Sequence, residues 1–145
     1  MIELVLIGGG GHARACIDLI QASDQFQILG ILDRSELVGT DVLGIPVIGT
    51  DEDLPVLVKK NLSFLITLGQ IKTPDLRIRI YKRIKVLGGL LSTVIATSAH
   101  VSPFAQIGEG SIIMGKAMIG PGVRIGENCI INTNALDEHD SVVGK

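Results

Sequence analysis

The chain has 145 residues, a formal net charge of −2 and few aromatic residues (3%). That length allows one ordinary domain or two small ones, with enough apolar residues for a buried core. The interspersed charges argue against a nucleic-acid or anionic-membrane partner, and the scarcity of aromatic rings argues against single-strand binding. No apolar run reaches the roughly 18 residues that cross a bilayer, and the N-terminus lacks the basic region of a signal peptide. The two cysteines fit no metal or redox spacing, so we expect a cytoplasmic protein without a bound metal.

The first half of the chain alternates apolar runs with helical patterns. Four apolar runs predict buried strands at residues 2–7, 26–33, 45–50 and 64–69. Helical spacing predicts helices at residues 13–22, 51–60 and 73–88, and Thr73, Pro74 and Gly88 have the residue types that begin and end the last of them. Strands that alternate with helices predict a small parallel, Rossmann-like α/β domain, which we assign to residues 1–90.

The second half follows a period of six residues. Read in sixes from Ile95, the sequence is IATSAH, VSPFAQ, IGEGSI, IMGKAM, IGPGVR, IGENCI, INTNAL, DEHDSV and VGK. Eight of the nine first positions are Ile or Val, and every fifth position is a small residue or valine. Asp137 is the exception among the first positions.

A period of six fits neither a helical stripe nor ordinary strand spacing, but it fits a solenoid whose coils have three short sides. Positions five and one then point inward, positions six and two point outward, and positions three and four form the corners. Glycine at Gly110, Gly115 and Gly122 suits such corners. We assign residues 91–145 to this β-helix. A carboxylate facing the core at Asp137 would be costly, so we expect a bulge or a hydrated coil end there.

These hexads resemble the [Ile/Leu/Val]-Gly-x-x-small-x repeat of left-handed parallel β-helix acyltransferases. Together with LIGGGGHAR, LITLGQ and INTNALDEHDSVVG, they resemble one branch of that superfamily, the NeuD- and PglD-like sialic acid O-acetyltransferases and nucleotide-sugar N-acetyltransferases. The resemblance implies a homotrimer in bacterial surface-glycan biosynthesis that transfers acetyl from acetyl-CoA to an amine or hydroxyl of a sugar. It also implies that the N-terminal domain holds the nucleotide or sugar, and that the thioester lies between neighbouring β-helices.

The resemblance identifies His139 as the catalytic histidine of its EHD hexad. As the third residue of a hexad, His139 is expected at a corner and outside the core. Its imidazole has the pKa range that suits a general base in acyl transfer. A carboxylate on the other ring nitrogen would fix the tautomer, and Glu138 and Asp140 are both candidates.

The glycine-rich loop, from Gly8 to Gly11, lies between a predicted strand and a predicted helix. Its N–H groups and the helix N-terminus suit the diphosphate of a nucleotide sugar. The spacing also matches G-x-G-x-x-A, with Asp33 about 20 residues further on as in a dinucleotide site. The remaining candidates for substrate binding are Gly10, His12, Gly69 and Arg77; we expect Arg77 on the exposed side of its helix.

Two further hypotheses are an NAD-binding module with a structural solenoid, and a sugar-nucleotide-binding module without acyltransferase activity. The NAD hypothesis does not explain the EHD hexad, and the α/β half is short for a full dinucleotide fold. The hexads stop within a coil at Lys145, so we expect a truncated chain with weak or no acetyl transfer. The sequence does not distinguish O-acetylation of sialic acid from N-acetylation of a UDP- or GDP-linked amino sugar.

Overall fold

The computed structural model describes residues 1–68, 75–137 and 142–143, the last two as backbone only. It divides into two compact units, Met1–Leu91 and Ser92–Lys145. The predicted fold class, a parallel α/β domain followed by a left-handed parallel β-helix, is confirmed.

The first unit contains a six-stranded sheet. Its strands are β1 (Ile2–Ile7), β2 (Phe26–Leu32), β3 (Asp41–Val42), β4 (Ile45–Gly49), β5 (Ser63–Ile66) and β6 (Leu90–Leu91). Its helices are α1 (Gly11–Gln21), α2 (Leu54–Val58) and α3 (Asp75–Val86), and short 3₁₀ turns lie at Ser35–Leu37 and Asp51–Asp53. The strand order is β3-β4-β2-β1-β5-β6, and only the β3–β4 pair is antiparallel among the pairings described.

The sequence patterns predicted the longer elements and missed the shortest ones. A two-residue strand is too short to show a period, and β3 and β6 are both of this kind. The β3–β4 hairpin has the two-residue loop Leu43–Gly44, where both residues have positive φ (50° and 83°) as a type I′ turn requires. The predicted start of α3 at Thr73 and Pro74 lies outside the described residues.

One hydrophobic core of the first unit lies where α2 and α3 pack on the sheet. α3 contributes Ile80, Tyr81 and Ile84, and α2 contributes Leu54. Strand residues of the same cluster are Val5, Ile7, Leu32, Phe64, Ile66 and Leu91. Full burial of such side chains contributes about 1.5–3 kcal/mol each, which fixes the strand ends relative to the helices.

The second unit contains three stacked coils, each with three two-residue strands. They are β7 (Val94–Ile95), β8 (His100–Val101), β9 (Gln106–Ile107), β10 (Ile112–Ile113), β11 (Met118–Ile119), β12 (Arg124–Ile125), β13 (Ile130–Ile131), β14 (Leu136–Asp137) and β15 (Val142–Val143). They form three parallel sheets, β13-β10-β7, β14-β11-β8 and β15-β12-β9, so each strand pairs with the strand 18 residues away.

The predicted inward positions are buried in the middle coil. Ile113, Ala117, Ile119, Val123 and Ile125 form one cluster there. Ile95 is 39% exposed, because its coil has a neighbour on one side only. Corners fall at positions three and four as predicted, and position four has positive φ at Gly110, Lys116, Gly122, Asn128 and Asn134.

Two details of the β-helix refine the predicted pattern. Val94 and Ile112, at the predicted outward position six, are buried. Val94, Ile112 and Ile130 stack on one side of the β-helix, so position six is aliphatic in every coil on that side. On the other two sides position six is polar at His100 and Arg124, and both are exposed. Of the two alternatives expected at Asp137, the bulge is absent, because Asp137 pairs with Ile119 in regular register. Its side chain is half-buried.

Candidate functional site

A cavity of about 190 Å³ lies at the carboxyl ends of the strands in the first unit. β1 is flanked by β2 on one side and β5 on the other, so the strand order reverses there. In open parallel sheets, ligands bind at this topological switch point. The residues that line this switch-point cavity are Ile7, Gly8, Leu32, Asp33, Arg34, Asp51, Leu68, Leu76 and Ile80.

The glycine-rich loop begins at Gly8, on the cavity wall. Gly8 has a φ of +111°, a backbone conformation that favours glycine. A Cβ there would also lie 2.7 Å from Cδ2 of Leu68, so both the backbone conformation and the lack of space disfavour a side chain. A Cβ at Gly10 or Gly11 would meet nothing within 4 Å. Gly10 is the N-cap of α1 and has no side chain to bond the first-turn N–H groups. The N-terminus of α1 is therefore open to an anion.

Asp33 joins the end of β2 to the glycine-rich loop. Its Oδ2 accepts a hydrogen bond from the N–H of Gly9 at 2.8 Å, and its Oδ1 accepts one from the N–H of Arg34, also at 2.8 Å. The N–H of Asp33 donates to the carbonyl of Gly49 at the end of β4. A carboxylate has about four acceptor sites, so Asp33 retains capacity for a ligand hydroxyl while it holds the loop.

Thr67 and Leu68 lie beyond the end of β5 and were not predicted from the sequence; Leu68 lines the cavity, and Thr67 is bonded to the strand and loop beside it. The N–H of Thr67 donates to the carbonyl of Ile7 at 2.9 Å, and its hydroxyl donates to the carbonyl of Gly8 at 2.6 Å. Thr67 is 1% exposed. The sequence did contain a hint of this role: Thr67 ends the apolar run FLIT, and a hydroxyl that is buried with such a run needs a hydrogen-bond partner.

Arg77 is buried, and the expectation of an exposed side chain is wrong. It is 1% exposed, and its Nη1 donates to the carbonyls of Ile66 (2.7 Å) and Leu68 (3.0 Å). The helix pattern contained this information, because Arg77, Ile80, Tyr81 and Ile84 lie on one stripe of α3. Arg77 therefore contacts the protein backbone behind the cavity wall, whereas the sequence had predicted the exposed side of the helix.

His12 lies in the first turn of α1 and is half-buried. Its Nε2 is 3.5 Å from the Sγ of Cys16, one helical turn later. Burial and, to a smaller extent, the positive charge of Arg77 lower the pKa of His12 below its usual value. Burial also raises the pKa of Cys16 to about 12, against a smaller opposing effect of Arg77. Around neutral pH, His12 is therefore a neutral imidazole beside an inert thiol.

Comparison with known families decides which of the predicted classes applies. A family model described as the PglD N-terminal domain matches residues 3–84. A second, described as bacterial transferase hexapeptide (six repeats), matches residues 93–136. The chain belongs to the PglD-like hexapeptide-repeat transferases. The resemblance inferred from the glycine-rich loop and the hexads is thereby confirmed.

Solved structures extend the PglD-like match over both units. The acetyltransferase domain of PglB from Neisseria gonorrhoeae, in complex with acetyl coenzyme A, is 32% identical with a TM-score of 0.88; the match covers 98% of this chain and 67% of that one. A histidine-to-alanine variant of GDP-perosamine N-acetyltransferase from Caulobacter crescentus, in complex with CoA and GDP-perosamine, is 34% identical with a TM-score of 0.88, over 98% and 65% of the two chains. WeeI from Acinetobacter baumannii shares the fold at 20% identity and a TM-score of 0.73, over 100% and 68%. This chain thus spans about two thirds of the length of these solved chains.

Some of the predicted site residues of this PglD-like chain lie in the described part of the structure, and the others lie outside it. Gly8 and Asp33 line the switch-point cavity, Gly10, Gly11 and His12 belong to the adjoining start of α1, and Arg77 lies behind the wall. Gly69, Glu138, His139 and Asp140 lie outside the described residues.

The described part of the chain lacks the features of a metal site and of a membrane span. It contains no cluster of three or more His, Cys, Asp or Glu residues with metal-binding geometry. None of its helices has both the length and the apolar character of a membrane span.

Proposed function

We propose that the protein is an acetyltransferase that binds a nucleotide-linked amino sugar in the switch-point cavity and acetylates it from acetyl-CoA. One observation carries the proposal: the open N-terminus of α1 and the carboxylate of Asp33 lie at the same strand ends. Family membership supports the proposal. Two of the similar proteins described above support it too: the PglB domain is bound to acetyl coenzyme A, and the perosamine N-acetyltransferase variant is bound to CoA and GDP-perosamine.

Each part of the nucleotide sugar has a candidate partner in the first unit. The diphosphate would accept hydrogen bonds from the N–H groups at Gly10 and Gly11, where no side chain intervenes. Asp33 would accept a hydrogen bond from a ribose hydroxyl. His12, neutral for the reasons given above, could exchange a hydrogen bond with the sugar without adding charge.

His139 is the proposed general base. An acceptor amine attacks the thioester carbonyl of acetyl-CoA, and His139 takes the proton that the nitrogen loses. The tetrahedral intermediate then expels CoA as a thiolate, which the imidazolium of His139 protonates. The products are the N-acetylated sugar and free CoA, with no covalent enzyme intermediate. A hydroxyl acceptor would follow the same sequence.

Glu138 and Asp140 are the two candidates to orient His139. A carboxylate hydrogen-bonded to its second ring nitrogen would favour the imidazolium that forms during attack. The proposal also includes a homotrimer, as in the resemblance described above, and a reaction in the cytoplasm, where acetyl-CoA is available.

Binding and turnover test this proposal separately. Isothermal titration calorimetry with GDP-perosamine, UDP-N-acetylglucosamine and CMP-sialic acid would show which nucleotide the cavity takes, and binding of any of them supports the first part. Stabilisation by NAD alone would instead favour the NAD-module hypothesis. Release of CoA from acetyl-CoA in the presence of GDP-perosamine would test the second part.

The role of His139 has its own test and control. Where turnover is measurable, His139→Ala should lower it by roughly 10²–10⁴-fold. His100→Ala is the matched control, because His100 is an exposed histidine of the same β-helix. A loss of less than about tenfold in His139→Ala would remove this residue from the base role.

A further inference from the structure

We propose that Arg77 and Thr67 are positioning residues that hold the ends of β1 and β5 at the separation that nucleotide-sugar binding requires. This inference rests on the proposed function of the switch-point cavity. It concerns two buried side chains that would have no direct contact with the ligand.

The first step is the position of Arg77 beside β5. β6 pairs with β5 only at Ser63 and Phe64. Alternate carbonyls of a strand point to the same side, so the carbonyls of Ile66 and Leu68 lie beyond the end of β6. Arg77 donates to both of them from one nitrogen, at 2.7 and 3.0 Å. Hydrogen bonds from a charged donor are stronger than neutral ones, so Arg77 extends the ordered part of β5 as far as Leu68.

The second step links β5 to the glycine-rich loop through Thr67, which lies between the two residues that Arg77 holds. The backbone of Thr67 bonds to Ile7 and its hydroxyl bonds to Gly8, at 2.6 Å. Thr67 therefore fixes the first residue of the loop after β1. Arg77 and Thr67 act on opposite sides of the same short segment.

The third step is the close contact between Gly8 and Leu68. The side chain of Leu68 occupies the space next to the Cα of Gly8, where a Cβ would lie only 2.7 Å from Cδ2 of Leu68. Both residues line the switch-point cavity. A shift of Leu68 would change the cavity wall and release Gly8, and with it the loop that leads to the N-terminus of α1. Arg77 and Thr67 therefore control the geometry of the candidate phosphate site.

The variants separate charge, hydrogen bonding and general stability. Arg77→Met removes both bonds and the charge at similar length, whereas Arg77→Lys keeps a charged donor. Thr67→Val removes the hydroxyl and keeps the shape. Arg79→Met is the control for Arg77→Met, because Arg79 is exposed on the same helix. Thr93→Val is the control for Thr67→Val, because Thr93 also donates to a glycine carbonyl, that of Gly108 in the β-helix.

Two measurements are made on the whole chain: affinity for GDP-perosamine by calorimetry, and amide hydrogen exchange of residues 8–13 without ligand. Arg77→Met should weaken affinity by about tenfold or more and Thr67→Val by about threefold or more, consistent with the loss of charged and neutral hydrogen bonds. Both should accelerate exchange in residues 8–13. Arg77→Lys should restore affinity to within about threefold of the wild type, and the controls should change neither measurement.

The inference is overturned if folded Arg77→Met binds within about twofold of the wild type and exchanges at the wild-type rate. If Arg77→Met does not fold, Thr67→Val decides in the same way. If the wild type does not bind GDP-perosamine, the UDP- and CMP-sugars replace it. If none of them binds, the proposed function fails, and the exchange rates of residues 8–13 alone decide whether the two side chains order the loop.

Discussion

The carboxylate of Asp33 accepts a 2.8 Å hydrogen bond from the N–H of Gly9, 24 residues earlier in the chain. This bond connects the end of β2 to the loop after β1, directly at the switch-point cavity. Asp33 therefore has a structural role in addition to any contact with a ligand. A Cβ at Gly9 would lie 2.9 Å from the same carboxylate oxygen, so the contact requires glycine or a shift of Asp33.

Asp33→Ala should reduce both stability and ligand affinity. The partly buried N–H of Gly9 loses its acceptor, which costs about 1–3 kcal/mol in the free energy of unfolding. Urea denaturation and calorimetry with a nucleotide sugar measure the two effects. Asp24→Ala is the control, because Asp24 is exposed in a turn. A stability change below about 0.5 kcal/mol would show that the Asp33–Gly9 bond is not significant.

Gly8→Ala and Gly11→Ala form a pair that separates folding from ligand binding. At Gly8, the positive φ and the clash with Leu68 should destabilise the protein by about 1–3 kcal/mol. At Gly11, the first residue of α1, a methyl group meets nothing within 4 Å, so stability should stay constant or rise by up to about 1 kcal/mol.

The affinity of Gly11→Ala for a nucleotide sugar tests the candidate phosphate site. Gly11→Ala should bind a nucleotide sugar about tenfold more weakly although it is fully folded, because its methyl group occupies space that a phosphate at the N-terminus of α1 would need. Thermal unfolding and calorimetry provide both values. Wild-type affinity in Gly11→Ala would show that the diphosphate lies elsewhere.

The pKa of His12 predicts a pH dependence of stability. Its folded-state pKa is lowered, so between that value and the usual 6.5 the unfolded chain binds more protons than the folded one. Stability should therefore be fully present above about pH 6.5 and be partly lost as the pH falls below it. His12→Gln should flatten this part of the profile in urea denaturation at several pH values. An unchanged slope would contradict the burial of His12.

Arg77 provides an independent check on His12. Since its charge contributes to the lowered pKa, Arg77→Met should raise the pKa of His12, and NMR titration of the imidazole protons can detect the change. Arg79→Met, with its exposed charge, should leave the titration as in the wild type. Assignment of the resonance follows from its loss in His12→Gln.

Gly108→Ala should destabilise the β-helix. A Cβ at Gly108 would lie 2.5–2.7 Å from backbone atoms of Gly126 and Glu127 in the next coil, and backbone atoms cannot move aside without separating the coils. We expect a loss of about 1–3 kcal/mol. Gly115→Ala is the control, because its nearest neighbour is the side-chain hydroxyl of Ser98 at 3.1 Å. Equal unfolding curves for the two variants would contradict the close packing of successive coils at Gly108.

The β-helix was more predictable from the sequence than the cavity was. A period of six repeated over many hexads allows one geometry, so the inward row at Ile113, Ile119 and Ile125 followed directly. Thr67 and Arg77 were harder to predict. The role of Thr67 depends on the pairing of β5 with β1, 59 residues away along the chain, and the role of Arg77 depends on how α3 packs against the end of β5. The stripe through Ile80 and Ile84 did indicate that Arg77 is buried, but its charge favoured the opposite interpretation.

Both cysteines of the chain are buried, and burial raises the pKa of Cys16 to about 12, so its thiol stays protonated at neutral pH. Native thiols should therefore react very slowly with maleimide reagents. A cysteine introduced at exposed Arg34, on the rim of the cavity, could be labelled with a fluorophore while Cys16 and Cys129 are kept. The fold thus permits an optical titration of ligand binding without prior removal of its own sulfur atoms.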